Sequence, residues 1–173
     1  MNAEAFATLY DAQYPRVFRY LLGRLHDELA AEELAAEVFA IALASFRKGT
    51  QPRQVGSWLV GVADHLASRY CREKRAKDSS ALPEPVVESD PEELAIGRLE
   101  SGKLWKYVGE LSPEHRQVLL LRVVAGLSAR EVGEIMSRSE EAIRSLQLRA
   151  LTMLRRRCKG EHTGIGLENA ADS

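Results

Sequence analysis

Leu127–Arg156, LSAREVGEIMSRSEEAIRSLQLRALTMLRR, decides the fold, because it reads as two short helices joined by a tight turn. Ser128 is placed to cap the first helix, and Glu131, three residues on, completes the capping-box pattern. Val132, Ile135 and Met136 then repeat at helical spacing. The pattern breaks at Ser137 and Arg138. Ser139 can cap a second helix whose first turn carries Glu140 and Glu141, the charge that a helix N-terminus favours. Two helices joined by so short a turn form a helix-turn-helix.

At about 100° per residue the second helix sorts into two faces. Ile143, Leu146, Ala150, Met153 and Leu154 share one face, which is expected to be buried. Glu141, Arg144, Ser145, Leu148, Thr152, Arg155 and Arg156 share the other, with Arg149 on its shoulder. A basic helix face is often no more than a solvated surface. Paired caps, a short turn and a leucine set among arginines favour a helix that enters a DNA groove.

Working outward, the 173 residues and 45% apolar composition suffice for one domain or two small ones. No apolar run approaches the roughly 20 residues of a membrane span, and the N-terminus lacks the charged and apolar regions of a signal peptide. A cytoplasmic protein with no membrane insertion is expected. Cys71 and Cys158 lie far apart, neither forms a metal-ligand spacing with another Cys or His, and His26, His65, His115 and His162 are scattered. Free thiols are expected, and no cofactor, metal or catalytic site.

The net charge of −1 conceals a pattern. Residues 1–63 carry −1, residues 64–77 carry +3, residues 78–101 carry −6, residues 102–160 carry +6 and residues 161–173 carry −3. Two basic blocks are thus separated by an acidic one, as nucleic-acid binding at two places requires.

The N-terminal third is helical by pattern. Phe6, Leu9, Tyr10, Val17, Phe18, Leu21 and Leu22 recur at helical intervals, with Pro15 placed where a second helix or a restart can begin. Leu29 to Phe46 forms a strong helix with an apolar stripe of Leu34, Val38, Ile41, Ala42 and Phe46 and an acidic patch of Glu32, Glu33 and Glu37. Gly49, Pro52 and Gly56 make Arg47–Gly56 a loop. Val55, Trp58, Leu59, Val62, Leu66 and Tyr70 define the next helix, whose flank presents His65, Arg69 and Arg72. That flank is either a solvated helix end or a holder of single-stranded nucleic acid through charge and stacking.

DSSALPEPVVESD, residues 78–90, has no helical period and reads as a linker, either a solvated tether or a mimic of a nucleic-acid strand. Asp90 and Pro91 can open a further helix, Ser112, Pro113 and Glu114 another, and Gly126 ends the latter. The resulting expectation is an all-α chain of two small helical domains, residues 1–77 and 101–159, joined by an acidic flexible linker at 78–100. A frayed tail follows from residue 160, and the helix-turn-helix lies in the second domain.

This order of parts resembles the bacterial RNA polymerase sigma factors of the extracytoplasmic-function (ECF) group of the sigma-70 family, over about residues 5–157. AAEELAAEVFAIALASF is similar to the family's AEDLTQEVF-type helix, which docks on the clamp helices of the polymerase β′ subunit. VGSWLVGVADHLASRYCREKR is similar to the W-L-x-x-I-A helix used at the promoter −10 element. LSPEHRQVLLLRVVAGLSAREVGEIMSRSEEAIRSLQLRALTMLR is similar to the domain that reads the −35 element, and it is the most specific of the three. The resemblance implies core RNA polymerase (β′ clamp helices and β flap), promoter DNA and an anti-sigma factor as partners.

Carried over by position, Arg144, Ser145, Leu148, Arg149 and Glu141 fall where the family meets −35 DNA. His65, Arg69 and Arg72, with Arg53 and Gln54 of the preceding loop, fall at the −10 element. Glu33, Glu37, Leu34 and Ala36 fall on the polymerase-binding helix. The chain departs from the family at Glu33 (usually Asp), Ala36 (Gln), His65 (Asn) and Arg69 (Asp), and Glu140-Glu141-Ala142 replaces a small or glycine-threonine sequence. The competing class is a stand-alone helix-turn-helix regulator that binds a palindrome as a dimer. An enzyme is disfavoured, since the sequence offers no phosphate loop, paired acid and base, or metal cluster.

Overall fold

Residues 2–50, 52–78 and 97–164 are described by the structure, a computed structural model. The described residues form helices and no strand: α1 Ala3–Leu25, α2 Glu28–Arg47, α3 Val55–Lys77, α4 Gly97–Gly109, α5 Pro113–Leu119, α6 Ala129–Met136 and α7 Glu140–Gly164. A π-helical segment, Leu120–Val124, prolongs α5.

The first three helices pack on one another. Their shared core is Val17, Tyr20 and Leu21 from α1, Ala31, Leu34, Ala35, Val38, Phe39, Ala42 and Phe46 from α2, and Leu59, Val60, Ala63, Leu66 and Ala67 from α3. These are the stripes that helical spacing produces, and each fully buried large side chain contributes roughly 1.5–3 kcal/mol. Asn2 caps α1 and Asp27 caps α2, accepting from the amides of Ala5 and Ala30 at 2.8 and 3.1 Å.

Pro15 does not start a second helix; it lies inside a continuous α1. The stack of Tyr10 on Tyr14 at 5.2 Å and of Tyr14 on Phe18 at 5.9 Å runs straight past it, with Phe39 of α2 packed 4.6 Å from Tyr10. Tertiary packing on both sides of the proline therefore holds the helix against the lost backbone bond.

In the second half, α5 and α6 lie against α7. The expected linker boundary moves, because α4 already begins at Gly97, inside the 78–100 span, and α7 runs to Gly164, beyond the expected onset of the tail at residue 160. The expected helix opening at Asp90 and Pro91 lies outside the described residues.

The two halves are joined. The π segment packs on α1, and α6 on α3. At Gly23 of α1 an added Cβ would stand 2.6 Å from Leu120 Cδ2 and 3.1 Å from the Trp105 ring, so any larger residue there would force the Leu120 side chain to shift. The buried residues of both halves thereby form one continuous cluster.

Candidate nucleic-acid interface

The helix-turn-helix is built as the sequence predicts. Ser128 Oγ accepts from the Glu131 amide at 3.2 Å, and Glu131 Oε2 accepts from the Ser128 amide at 2.7 Å, closing a full capping box. That hydrogen bond to the carboxylate holds the pKa of Glu131 below its ordinary value. Ser137, at φ 54°, ends α6 in the left-handed region, and the Arg138 amide donates to the Gly133 carbonyl at 2.9 Å. Ser139 Oγ then caps α7 by accepting from Ala142 at 3.1 Å. Gly133 makes the turn tight: a Cβ there would lie 2.6 Å from the Arg138 carbonyl oxygen.

Helix α7 buries Ile143, Leu146, Ala150 and Leu154. Met153, expected on the same face, is instead exposed at 41%, and Leu151 packs at the core edge in its place. The face pairs with short helices and reaches only part-way along α7, which leaves the flanking Met153 uncovered. On the opposite side Glu141, Arg144, Ser145, Leu148 and Arg149 are all exposed, Leu148 at 66%. Arg144 pairs with Glu140 one turn earlier. Arg155 and Arg156 are exposed too, while Arg157 turns back to pair with Glu110. The exposed set is one continuous basic strip with donors suited to phosphate and to base edges.

The second candidate surface is the α2–α3 face. His65, Arg69 and Arg72 are exposed along α3, and Arg53 and Gln54 are exposed at its start. Gln54 is the N-cap residue of α3 by position, and its side chain makes no capping bond. Trp58 is half-buried and packs 5.7 Å from Phe46, so it supports the loop before α3 from beneath. Lys74 lies over the Tyr70 ring at 5.8 Å.

On α2, Glu33 and Ala36 are exposed and Glu37 is half-exposed. Leu34 is buried at 8%. Its helical phase places it with Ala31, Ala35 and Val38 in the core, so its side chain holds α2 in place and does not offer contact area. Arg69 Nη2 lies 3.0 Å from Glu37 Oε1, which brings one −10 candidate and one polymerase candidate together. The α7 set belongs to the other half and is not gathered with them.

Sequence reasoning missed the polar centre between the halves. Asp64 of α3 is 7% exposed. It accepts from Tyr20 Oη at 2.5 Å and from Gln117 Nε2 at 2.8 Å, with Arg24 Nη2 at 3.6 Å. Burial first, and then the charge of Asp64, push the Tyr20 phenol well above its ordinary pKa. A signal for it exists: Asp64 stands four residues after Val60 and three before Ala67, an acid within an apolar stripe.

Both cysteines are free, Cys71 half-buried and Cys158 exposed. Among the described residues no group of His, Cys, Asp and Glu is arranged to hold a metal ion, and no helix is long and apolar enough to cross a membrane.

Comparison with known proteins agrees with this geometry. The family model for sigma-70 region 2 matches residues 9–77, and that for sigma-70 region 4 matches residues 108–156. The chain is 33% identical over 160 residues to the ECF RNA polymerase sigma factor BldN of Streptomyces coelicolor, with 90% of this chain and 61% of BldN covered. It is 31% identical over 169 residues to the ECF RNA polymerase sigma factor ShbA of Streptomyces griseus, with 89% of this chain and 87% of ShbA covered. Among solved structures, the sigma factor RpoE of Bartonella quintana, in complex with the anti-sigma factor NepR, shares the fold with a TM-score of 0.79 at 19% identity, over 91% of this chain and 98% of that one. CnrH, in complex with the cytosolic domain of CnrY, gives 0.70 at 19% identity, over 92% and 90%. On the two region matches and the similarity to ShbA along nearly the whole chain, the protein belongs to the ECF group of sigma-70 family RNA polymerase sigma factors.

Proposed function

We propose that the chain is a promoter-specificity subunit and not an enzyme: it binds core RNA polymerase, directs it to promoters and helps open the −10 region. Helix α2 meets the β′ clamp helices through Glu33, Ala36 and Glu37. The flank of α3, with His65, Arg69 and Arg72, and the loop residues Arg53 and Gln54 hold the −10 strand. Extruding a base from the stack costs a few kcal/mol, which such a basic, partly aromatic surface offsets. Helix α7 reads the −35 element through Arg144, Ser145, Leu148, Arg149 and Glu141, and its domain meets the β flap. An anti-sigma factor holds the protein inactive, and its place of action is the cytoplasm, with the polymerase.

The observation that carries this reading is the exposed strip Arg144-Ser145-Leu148-Arg149 on a capped helix-turn-helix, in one chain with a region 2 bundle whose α2 and α3 faces are open. Run-off transcription with purified core polymerase tests it. Promoter-specific transcripts that require the chain support the reading. Failure to bind core, together with tight binding of a palindromic duplex by the chain alone, would identify a stand-alone regulator instead.

A further inference from the structure

Helix α7 is held by its apolar face and by two polar ties from one arm, α5 with its π extension. At the turn, Arg138 pairs with Glu114 near the start of α5. Both side chains are nearly half exposed, so water competes for that pair. Within the exposed strip, Gln147 Oε1 accepts from Arg122 Nε at 2.8 Å. Arg122 also donates through Nη1 to the carbonyl of Leu127, the residue before the Ser128 cap of α6. One half-buried guanidinium thus joins the π segment, the start of α6 and the middle of α7.

The widened turn puts it there. The Leu120 carbonyl accepts from the Ala125 amide at 2.8 Å, and the Leu121 carbonyl from the Leu127 amide at 3.0 Å. Leu120 and Leu121 stay buried, Arg122 comes onto α7, and Val123 is left 64% exposed. Single π turns of this kind occur frequently at functional sites.

We propose that Arg122 is a positioning residue for −35 readout: acting through Gln147, it fixes the roll of α7 about its own axis and so the direction in which Arg144 and Leu148 meet the groove. The inference rests on the reading that α7 enters the −35 element. Burial of Ile143, Leu146, Ala150 and Leu154 draws α7 against its neighbours, but hydrophobic attraction has no direction. A hydrogen bond from a guanidinium has one. The side-chain surface of a helix lies about 5–6 Å from its axis, so a roll of about 20° moves a side-chain end by about 2 Å. Hydrogen bonds to base edges hold over a range of about 0.5 Å, and such a roll breaks them. Gln147 follows Arg144 by one helical turn and adjoins Leu148, so a tie at Gln147 governs both contacts.

The chemistry of the tie separates its role from simple packing. A guanidinium only donates, so Gln147 is held with its oxygen toward Arg122. Gln147→Glu keeps an acceptor there, and Gln147→Leu removes it.

The test uses holoenzyme reconstituted from core polymerase and the full chain, presented with a −35 duplex selected by the native holoenzyme and with each single-base variant of it. Gln147→Leu, which retains a good helix former, is expected to reduce base preference at the Arg144 and Leu148 positions about fivefold or more. Gln147→Glu is expected to keep the native preference ratios, because added charge near DNA weakens all sequences alike. A merely structural role would lower the melting temperature and overall affinity and leave those ratios unmoved. Unchanged ratios in Gln147→Leu, or an equal loss in both variants, overturn the proposal. A second measurement needs no promoter: solvent exchange of the Arg122 Nε proton, followed by NMR in the free chain. Exchange is expected to be about tenfold slower in the native chain and in Gln147→Glu than in Gln147→Leu. Equal exchange in all three shows that the tie is not made and overturns the proposal independently of DNA. Slowed exchange in a chain whose native holoenzyme has no −35 preference overturns the proposed function and, with it, the role in readout.

Discussion

Arg69 of α3 reaches Glu37 of α2, with Nη2 3.0 Å from Oε1, and so ties the helix assigned to the −10 strand to the helix assigned to polymerase. The pair is about half exposed, and its guanidinium also lies 3.9 Å from Glu73. Exposed pairs of this kind contribute roughly 0–1 kcal/mol, so Arg69→Ala should leave the melting temperature nearly unchanged. Glu37→Lys should weaken core binding and also repel Arg69. At saturating core polymerase Glu37→Lys should also reduce −10 opening, measured by permanganate footprinting, because Arg69 is displaced; unchanged opening would show that the two sites are not coupled through this contact.

Glu140 holds Arg144 by a one-turn ion pair at the start of the exposed strip. An arginine placed bidentately on guanine discriminates by roughly 1–3 kcal/mol, whereas one on phosphate adds only salt-dependent affinity. Arg144→Ala should therefore relax preference at one −35 position, and Arg156→Ala should weaken all sequences alike and lower the salt slope by about 1. Glu140→Ala should alter the preference at the Arg144 position without touching DNA itself. Competition binding across single-base −35 variants separates these outcomes.

Gly133→Ala places a Cβ 2.6 Å from a backbone oxygen at the turn of the helix-turn-helix. Backbone cannot yield as a side-chain tip can, so a loss of about 1–3 kcal/mol is expected, with weaker −35 binding. Ser128→Ala removes one half of the capping box at the other end of α6 and should cost about 1 kcal/mol. Denaturant titration of both variants checks the order: Gly133→Ala the more damaging.

His26 caps α1 in the left-handed region and is half-buried, and burial first, then the nearby Arg116 charge, hold its pKa below 6.5. The folded chain therefore binds fewer protons at this group than the unfolded chain. Its contribution to stability is full above about pH 6.5 and is lost as pH falls from there through the lowered folded value. Glu131, also lowered, has the same sign but acts near and below its ordinary 4.5. His26→Gln should flatten the stability curve just below about pH 6.5 and leave the carboxylate acid limb, as chemical denaturation at stepped pH will show.

Helix type and facing were legible wherever one periodicity held for several turns. The α2 stripe Leu34, Val38, Ala42 and Phe46 is core, as its spacing demanded, and Ser128, Glu131 and Ser139 make the caps their chemistry allows. The exposed residues of α7 follow from the same rule, because a helix that buries Ile143, Leu146 and Ala150 must turn Arg144, Ser145 and Leu148 outward. Pro15 and Met153 did not follow, since a proline's effect and a flanking methionine's burial depend on the neighbour that packs there.

The sequence by itself thus determined the helices, their capped ends and the basic strip, since each depends on residues a few positions apart. Only tertiary structure decided what lies between the halves. Asp64 and Gln117 are separated by 53 positions, and Arg16 and Ala125 by 109. No local periodicity encodes such pairs. Their meeting depends on the free energy of burying Leu120 against α1 and of packing α6 on α3, a property of two assembled surfaces.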